Sequence, residues 1–405
     1  MDEFHRIRRL PPYVFEQVNR LKASARAAGA DIIDLGMGNP DLPTPQAIVD
    51  KMCEVAQDPR THRYSASKGI AGLRKAHAAY YGRRFGVKLN PDTQVVATLG
   101  SKEGFANMAQ AITAPGDVVL VPNPTYPIHS FGFIMSGAVV RSIQAEPDDS
   151  FFHALERAVR HSIPAPTALI LNYPSNPTAR LATLDFYRDV VAFARKHNII
   201  LLSDLAYAEI FFDGEPPPSI LQVPGAMETA VEFTSMSKTY SMPGWRIGFA
   251  VGNERLVSAL TRVKSYLDYG AFTPIQVAAA FALNTQDREI ETAREVYRQR
   301  RDVMVESFSR AGWDVPPPPA TMFAWAPIPE KFKTLGSLEF SKLLVEKANV
   351  AVSPGVGFGE YGEDHVRIAL VENEHRIRQA ARNIKRFLAS ADETLHNVIP
   401  IAARR

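Results

Sequence analysis

Cysteine is nearly absent from this chain of 405 residues. Cys53 is the only one, which excludes an intrachain disulfide and a metal site built from several cysteines, and which favours a reducing compartment. The net charge is also small, at +3. The short basic clusters at 6–9 and 298–302 contain no interleaved aromatic residues and are typical of solvated helix faces, so we expect no nucleic-acid partner and no metal.

Long apolar segments are missing as well. The N-terminal segment "MDEFHRIRRLPPYVF" has acidic, basic and proline residues where a signal peptide has an apolar core, and no apolar run approaches the length of a membrane span. We therefore expect a cytoplasmic protein without a membrane partner. No nucleotide-binding glycine motif joins a strand-like segment to a helix-like one, which argues against a nicotinamide or P-loop enzyme.

The residues that are present indicate a globular enzyme of more than one domain. Hydrophobic residues make up 46% of the chain and charged residues 22%, and 405 residues are too many for one ordinary core. Between 48 and 283, apolar strand-like segments alternate with helix-like segments. The strand-like segments are "QVVATLG", "DVVLVP", "GAVVRSI", "TALILNYP", "NIILLSD", "AVEFTSMS" and "IGFAVG". This alternation predicts an α/β fold with a mostly parallel seven-stranded sheet covered by helices on both faces.

One lysine follows a strand-like segment without an acidic neighbour. Lys238 lies in "SMSKTYSMPGWRIGF", which contains no Asp or Glu, and Arg246 follows eight positions later. Burial and a nearby like charge both disfavour the charged form of a lysine, so its amine becomes a nucleophile near neutral pH. Ser235, Ser237 and Arg246 offer hydrogen-bond donors that suit a phosphate. A solvated surface lysine is the alternative, but the combination suggests pyridoxal phosphate as the cofactor.

Polar residues also follow other strand-like segments, where ligands of parallel sheets bind. Asp204 ends "NIILLSD" and would serve as the carboxylate that the cofactor's ring nitrogen needs. Asn176 lies in the turn after "TALILNYP", Ser101 opens a helix-like segment, and Tyr126 lies between two prolines. Each has an ordinary alternative as a helix cap, a turn residue or a packing tyrosine.

Taken in order, these segments resemble the class I/II aminotransferases, which are fold-type I pyridoxal-phosphate enzymes. The resemblance covers nearly the whole length. It is carried by "LGMGNPDLPTP", "HRYSASKGIAGLR", "GSKEGF", "PTYP", "NYPSNPT", "SDLAYAEI", "SMSKTYSMPGWRIGF" and "DHVRIAL". It implies a large cofactor-binding domain over 46–284 and a smaller α+β domain, formed by 285–405 with part of an N-terminal arm over 1–45. The last residues, 391–405, show no clear period, and we expect a loosely ordered tail.

The resemblance also implies a role for each site residue. Lys238 would bind the cofactor covalently and act as catalytic acid and base, and Asp204 would contact the ring nitrogen. The phenolic oxygen of the cofactor would accept from Tyr207 and Asn176, while Tyr126 would stack on the ring. The phosphate would be bound by Ser101, Lys102 through its backbone N–H, Ser235, Ser237, Arg246, and Tyr64 of a partner subunit. The last of these implies a homodimer with shared active sites.

The substrates follow from the same resemblance. Arg367 would bind the substrate α-carboxylate, and Asn176 and the backbone around Gly38 would also contact the substrate. The segments "VKSYLDYGAFTPIQVAAA" and "VAVSPGVGFGEYGEDHVRIAL" are most similar to bacterial glutamate–pyruvate aminotransferases. Lys264, Tyr269 and Arg74 are candidates for binding the second carboxylate of glutamate.

Other functions on the same scaffold stay open. The alternatives are an aminotransferase for LL-diaminopimelate, methionine or aromatic amino acids, and a lyase that eliminates a group from the β or γ carbon. A cofactor-binding regulator is a further alternative, but such regulators carry a DNA-binding module, and the residues before Ile32 are too few for one.

Overall fold

The computed structural model describes residues 4–11 and 13–390, so the tail predicted at 391–405 lies outside the described residues. The strands are β1 (Ile33–Asp34), β2 (Val95–Thr98), β3 (Val118–Asn123), β4 (Val139–Gln144), β5 (Pro166–Asn172), β6 (Ile200–Asp204), β7 (Ala230–Ser235), β8 (Gly248–Gly252), β9 (Phe323–Pro327), β10 (Val350–Ala351), β11 (Ser353–Pro354) and β12 (His365–Ala369).

The helices alternate with the strands through the first two thirds of the chain. They are α1 (His5–Arg8), α2 (Val14–Ala27), α3 (Gln46–Ala56), α4 (Ala71–Phe85), α5 (Ser101–Ile112), α6 (Ile128–Ser136), α7 (Asp149–Arg160), α8 (Leu184–His197), α9 (Met236–Thr239), α10 (Glu254–Leu267), α11 (Thr273–Thr285), α12 (Asp287–Arg310), α13 (Gly336–Ala348) and α14 (Glu374–Ala389). None of the described helices combines the length and the low polarity that a membrane span requires.

The seven apolar segments all form strands of one sheet, as predicted. Its order is β2-β8-β7-β6-β5-β3-β4, and only β8 runs antiparallel to its neighbours. Adjacent residues of one strand pack on opposite faces: Leu169 and Leu201 lie in the core on one side, and Ile170 and Leu202 lie in the core on the other. Because both faces are covered, the strands are apolar throughout rather than alternating.

The C-terminal part of the chain contains a smaller, three-stranded sheet. Strands β11, β12 and β9 are antiparallel, with Arg367 of β12 opposite Ser353 and Trp325. The N-terminal strand β1 pairs with β10, in parallel, so the N-terminal segment packs with the C-terminal part of the chain. This agrees with the division into 1–45, 46–284 and 285–405, which stays a prediction.

The basic cluster at 298–302 differs from the expectation of a solvated helix face. Arg300 and Arg301 are both 6% exposed. Arg300 donates from both terminal nitrogens to Asp41, at 2.7 and 2.8 Å, and Arg301 pairs with Asp213. The prediction was wrong for these two arginines because their partners come from distant segments that the local pattern does not reveal.

We expect Arg300→Met to lower the free energy of unfolding by about 2 kcal/mol, because it leaves the Asp41 carboxylate without its bidentate partner. Urea denaturation followed by tryptophan fluorescence measures the change. Arg298→Met is the matched control, since Arg298 lies on the same helix and its side chain is 42% exposed; it should change stability by less than about 0.5 kcal/mol. Equal effects of the two substitutions would contradict the prediction.

Candidate active site

A cavity of about 420 Å³ lies at the carboxyl ends of the parallel strands. The residues predicted to bind the cofactor or the substrate α-carboxylate line this cavity, with the exception of Tyr64: Gly38, Ser101, Lys102, Tyr126, Asn176, Asp204, Tyr207, Ser235, Ser237, Lys238, Arg246 and Arg367. The structure therefore brings together residues that are up to 329 positions apart, from Gly38 to Arg367.

Lys238 projects into the cavity from the short helix α9, directly after β7. Its Nζ donates to the backbone oxygen of Gly38 at 3.0 Å and lies 5.7 Å from the centre of the Tyr207 ring. Burial and the positive charges of Arg367 and Arg246 lower the pKa of Lys238 to about 7, although the negative charge of Asp204 opposes the shift. A substantial fraction of the amine is therefore neutral and nucleophilic at neutral pH.

Arg246 lies against the N-terminus of helix α5. Its guanidinium donates to the backbone oxygens of Pro243 and Leu99, at 2.7 and 3.0 Å. A Cβ atom at Gly100 would lie 2.3 Å from the nearest guanidinium nitrogen, so only glycine permits this approach. The first N–H groups of α5, at Ser101 and Lys102, have no partner within the helix, and with Arg246 they form a site suited to a phosphate.

Asp204 is buried at the end of β6 and held from two sides. Its Oδ1 accepts from the N–H of Ala206 at 3.1 Å, and its Oδ2 lies 2.9 Å from Nε2 of His129. The other ring nitrogen of His129 lies 2.7 Å from the hydroxyl of Thr125. The sequence analysis missed His129 and Thr125; a buried histidine in the first turn of the mostly apolar helix α6 was the available signal.

Two hydrogen bonds, through its backbone N–H and its Oδ1, hold Asn176 in place and leave its side-chain Nδ2 free to donate to a ligand. Its backbone N–H donates to Oδ1 of Asn172 at 3.0 Å, and its Oδ1 accepts from NH1 of Arg367 at 2.8 Å. Asn172, which also donates to the backbone oxygen of Asp204 at 3.2 Å, is a further residue that the sequence analysis missed. It joins the carboxyl ends of β5 and β6.

Arg367 is a buried cation whose charge no described carboxylate neutralises. The residue is 6% exposed, its guanidinium lies 4.0 Å from the centre of the Phe323 ring, and its Nε has no partner. Burial lowers the pKa of Arg367 to about 10, which still leaves it charged at neutral pH. A buried charge of this kind is costly unless a ligand supplies the opposite charge, and a guanidinium fits a carboxylate with two hydrogen bonds.

Tyr126 and Tyr207, two of the tyrosines that line the cavity, are hydrogen-bond donors. Burial raises the pKa of Tyr207 and, in the same direction, that of Tyr126, so both phenols are neutral at physiological pH. Tyr207 packs edge to face with Phe323, with the ring centres 5.6 Å apart. Its ring is therefore fixed beside Lys238 and Asp204 at the cavity wall.

Tyr64 and the candidates for a second carboxylate lie outside this cavity. Tyr64 is 87% exposed and its ring centre lies 4.7 Å from that of Tyr269; its expected contact with a partner's site stays a prediction. Lys264 is bound by Glu103 and Asp268, and Arg74 by Asp92. These partners occupy both cations, so neither is available for a substrate carboxylate.

The residues present fit pyridoxal phosphate. Lys238 supplies the nucleophilic amine, Asp204 the buried carboxylate, and Gly100 the space that lets Arg246 approach the N–H groups of α5. Gly100 is the observation that best supports this fit, because Arg246 can approach the N–H groups of α5 only where position 100 has no side chain.

The comparisons with known proteins agree with this geometry. The family model described as aminotransferase class I and II matches residues 30–384. The chain is 80% identical over 405 residues to AatC of Rhizobium meliloti (strain 1021), covering 100% of each chain. It is 53% identical over 382 residues to the glutamate-pyruvate aminotransferase AlaC of Escherichia coli (strain K12), covering 94% of this chain and 93% of AlaC.

Two further comparisons extend the same picture. An LL-diaminopimelate aminotransferase of Moorella thermoacetica is 41% identical over 392 residues, which cover 97% of this chain and 100% of that one. The substrate-bound structure of BacF from Bacillus subtilis superposes with a TM-score of 0.90 at 34% identity, over 96% of this chain and 98% of that one. The chain therefore belongs to the class I and II aminotransferases, which are pyridoxal-phosphate-dependent transaminases of fold type I.

Proposed function

We propose that the enzyme transfers an amino group between L-alanine and 2-oxoglutarate, giving pyruvate and L-glutamate, in a reversible ping-pong reaction. The observation that carries the amino-acid substrate class is Arg367, a buried cation with no described acidic partner beside the reactive lysine. The choice of alanine and glutamate is supported by the 53% identity to a glutamate-pyruvate aminotransferase.

Lys238 and Asp204 have different roles in the proposed reaction. The bound cofactor supplies an electron-accepting ring for the electron pair left when the substrate Cα–H bond breaks. The neutral amine of Lys238 would take the proton from the substrate Cα and deliver it to the C4′ carbon of the cofactor, because its pKa of about 7 lets it act first as base and then as acid. We assign Asp204, held by His129 and the N–H of Ala206, the role of keeping a negative charge beside the ring nitrogen.

The remaining residues hold the substrate. Arg367 and the amide of Asn176 bind the α-carboxylate, and this fixes the Cα–H bond relative to Lys238. The hydroxyl of Tyr207 would donate to the phenolic oxygen of the cofactor, with Asn176 as the second donor. Arg246, the hydroxyls of Ser235 and Ser237, and the first N–H groups of α5 would hold the phosphate of the cofactor.

A homodimer in the cytoplasm is part of the proposal. Tyr64, Tyr266 and Tyr269 are 87%, 83% and 61% exposed, and an exposed aromatic surface of this kind suits a second copy of the chain. In that copy Tyr64 would reach the neighbouring phosphate. The single cysteine supports a reducing compartment.

An aminotransferase for LL-diaminopimelate is the second candidate, because a relative with that name is 41% identical over nearly the whole chain. The experiment that separates the candidates is a half-reaction without any 2-oxo acid. L-alanine, L-glutamate, L-methionine, L-phenylalanine and LL-diaminopimelate are added one at a time to the purified enzyme while its visible absorption is followed.

Each result of the half-reaction has a defined meaning. Rapid bleaching by alanine and glutamate, reversed by pyruvate or 2-oxoglutarate, supports the proposal. Bleaching chiefly by LL-diaminopimelate or by another amino acid keeps the transaminase and replaces the substrate. Continuous release of pyruvate and ammonia without an acceptor acid contradicts the proposal in favour of a lyase.

The pKa of Lys238 gives a further expected result. In the cofactor-free protein, acetylation of Lys238 by acetic anhydride should reach half its maximum at a pH of about 7 and level off above that, because only the neutral amine reacts and the pKa is lowered to about 7. Peptide mass mapping over a pH series measures the extent of labelling. Free Nα-acetyl-lysine is the reference; its labelling should keep rising toward a pH of about 10. A Lys238 profile that follows the reference would contradict the lowered pKa.

A further inference from the structure

A buried lysine of helix α2 has no role in the reaction described so far. Lys22 is 8% exposed and lies at the wall of the cavity. Its Nζ donates to Oδ2 of Asp34 at 2.7 Å, and the side chain of Asp34 is only 14% exposed. Buried ion pairs contribute little to stability because desolvation offsets the attraction, so stability alone is a weak reason for this pair.

Hydrogen bonds connect the Lys22–Asp34 pair to Arg367 through the backbone of Gly36. The other carboxylate oxygen of Asp34 accepts from the backbone N–H of Gly36 at 3.2 Å. The backbone oxygen of Gly36 accepts from NH2 of Arg367 at 3.3 Å and from the hydroxyl of Ser353 at 2.7 Å. Lys22, Asp34 and Gly36 therefore form a hydrogen-bonded chain that ends on the guanidinium.

Close packing leaves little room on one side of Gly36. A Cβ atom at this position would lie 3.1 Å from the carbonyl carbon of Val352, so the peptide is pressed against strands β10 and β11. NH2 of Arg367 also lies 3.4 Å from the hydroxyl of Ser353, and NH1 donates to Asn176. Both terminal nitrogens of Arg367 therefore donate to neutral acceptors. A displacement of the Gly36 backbone oxygen would displace the guanidinium that donates to it.

Lys22 also has an electrostatic effect, because its positive charge neutralises Asp34. Asp34 lies one peptide away from Arg367, where a carboxylate without a partner would compete with the substrate for the guanidinium. Lys22 neutralises Asp34, and Arg26 approaches the same oxygen at 3.5 Å from a half-exposed position. The positive charge of Arg367 therefore remains available to pair with the carboxylate of a ligand.

We propose that Lys22 and Asp34 are positioning residues that hold Arg367 ready for the α-carboxylate of every substrate. The inference rests on the proposed role of Arg367. It predicts that a defect at Lys22 depends on the α-carboxylate, which all substrates share, and is independent of the substrate side chain.

The test uses the complete enzyme with its cofactor and compares L-alanine, L-glutamate and ethylamine, which is alanine without its carboxylate. Lys22→Met should lower kcat/KM in the half-reactions of alanine and glutamate alike, by about tenfold. The affinity for ethylamine, measured by the change in visible absorption, should stay the same. Lys22→Arg should restore the native values, because it keeps the charge and a donor.

Calorimetric titration with pyruvate in the absence of an amino donor gives a readout without turnover. Its dissociation constant should rise by the same factor of about ten in Lys22→Met. Arg20→Met is the matched control on helix α2, since Arg20 is exposed and pairs with Glu16 on the same helix; it should match the native enzyme. Asp34→Ala, which removes the acceptor for the N–H of Gly36 and so breaks the hydrogen-bonded chain, should show the Lys22→Met defect and replaces it as the test if Lys22→Met does not fold.

Three results would overturn the inference. A defect confined to glutamate would mean that Lys22 contacts the second carboxylate directly. An equal defect with ethylamine would mean that Lys22 only supports the packing of α2. Native behaviour of both Lys22→Met and Asp34→Ala would mean that the pair is irrelevant to Arg367. Arg367→Lys is the reference for the underlying assumption: if it too fails to weaken alanine relative to ethylamine, the proposed role of Arg367 is wrong, which is a separate failure.

Discussion

Replacing Lys238 by alanine is expected to reduce transaminase turnover by about 10⁵-fold, the scale of losses seen when a central nucleophile is removed. The amine of Lys238 lies in the cavity, where it donates to the backbone oxygen of Gly38. Its pKa of about 7 suits proton transfer at neutral pH. Coupled assays of alanine formation and loss measure the change. The purified variant should also lack the visible band of the covalently bound cofactor.

Lys238→Arg separates the amine from its charge. An arginine keeps a positive charge in the same place but stays protonated at neutral pH, so it supplies neither a nucleophile nor a base. We expect it to be as inactive as Lys238→Ala. Lys196→Ala, at an exposed position of helix α8, should keep native turnover. Near-native activity of either Lys238 variant would contradict the assignment of this lysine as the catalytic group.

The parallel sheet and most of the cavity could be predicted from local sequence. A strand covered on both faces must be apolar at consecutive positions, so the seven segments stand out from the helices between them. Because ligands bind beyond the carboxyl ends of such strands, the polar residues after those segments were natural candidates. Asp204, Asn176 and Lys238 all line the cavity for this reason.

Contacts between distant segments could not be predicted in the same way. His129 touches Asp204 from helix α6, 75 positions away, and β6 and β3 are not neighbours in the sheet. Arg300 meets Asp41 across 259 positions, and Lys264 meets Glu103 across 161. The pattern of one segment shows whether a side chain faces the interior, but the identity of its partner depends on how the segments pack. Buried cations were therefore mistaken for solvated or substrate-binding groups.

Asp204→Asn is expected to lower kcat by about 10³-fold for both amino acids, because it removes a preorganised buried charge at the point where electrons accumulate in the reaction. The substitution keeps the shape of the side chain and an acceptor for the N–H of Ala206, now at 3.1 Å from Oδ1, so the loss reports on charge. KM should change far less than kcat, since the carboxylate does not contact the substrate in this proposal. Single-turnover half-reactions with L-alanine and L-glutamate measure both quantities.

His129→Phe tests whether the carboxylate depends on the residue that holds it. The imidazole is fully buried, contacts Oδ2 of Asp204 at 2.9 Å and packs against Phe105, with ring centres 4.9 Å apart, so a phenyl ring fills similar space without the hydrogen bond. Residues that orient a reactive group through one contact usually contribute about 10- to 100-fold, so His129→Phe should be much milder than Asp204→Asn. Adding it to Asp204→Asn should cause little further loss, because the two residues act through the same carboxylate. Fully additive losses would instead mean that His129 contributes to catalysis independently of Asp204.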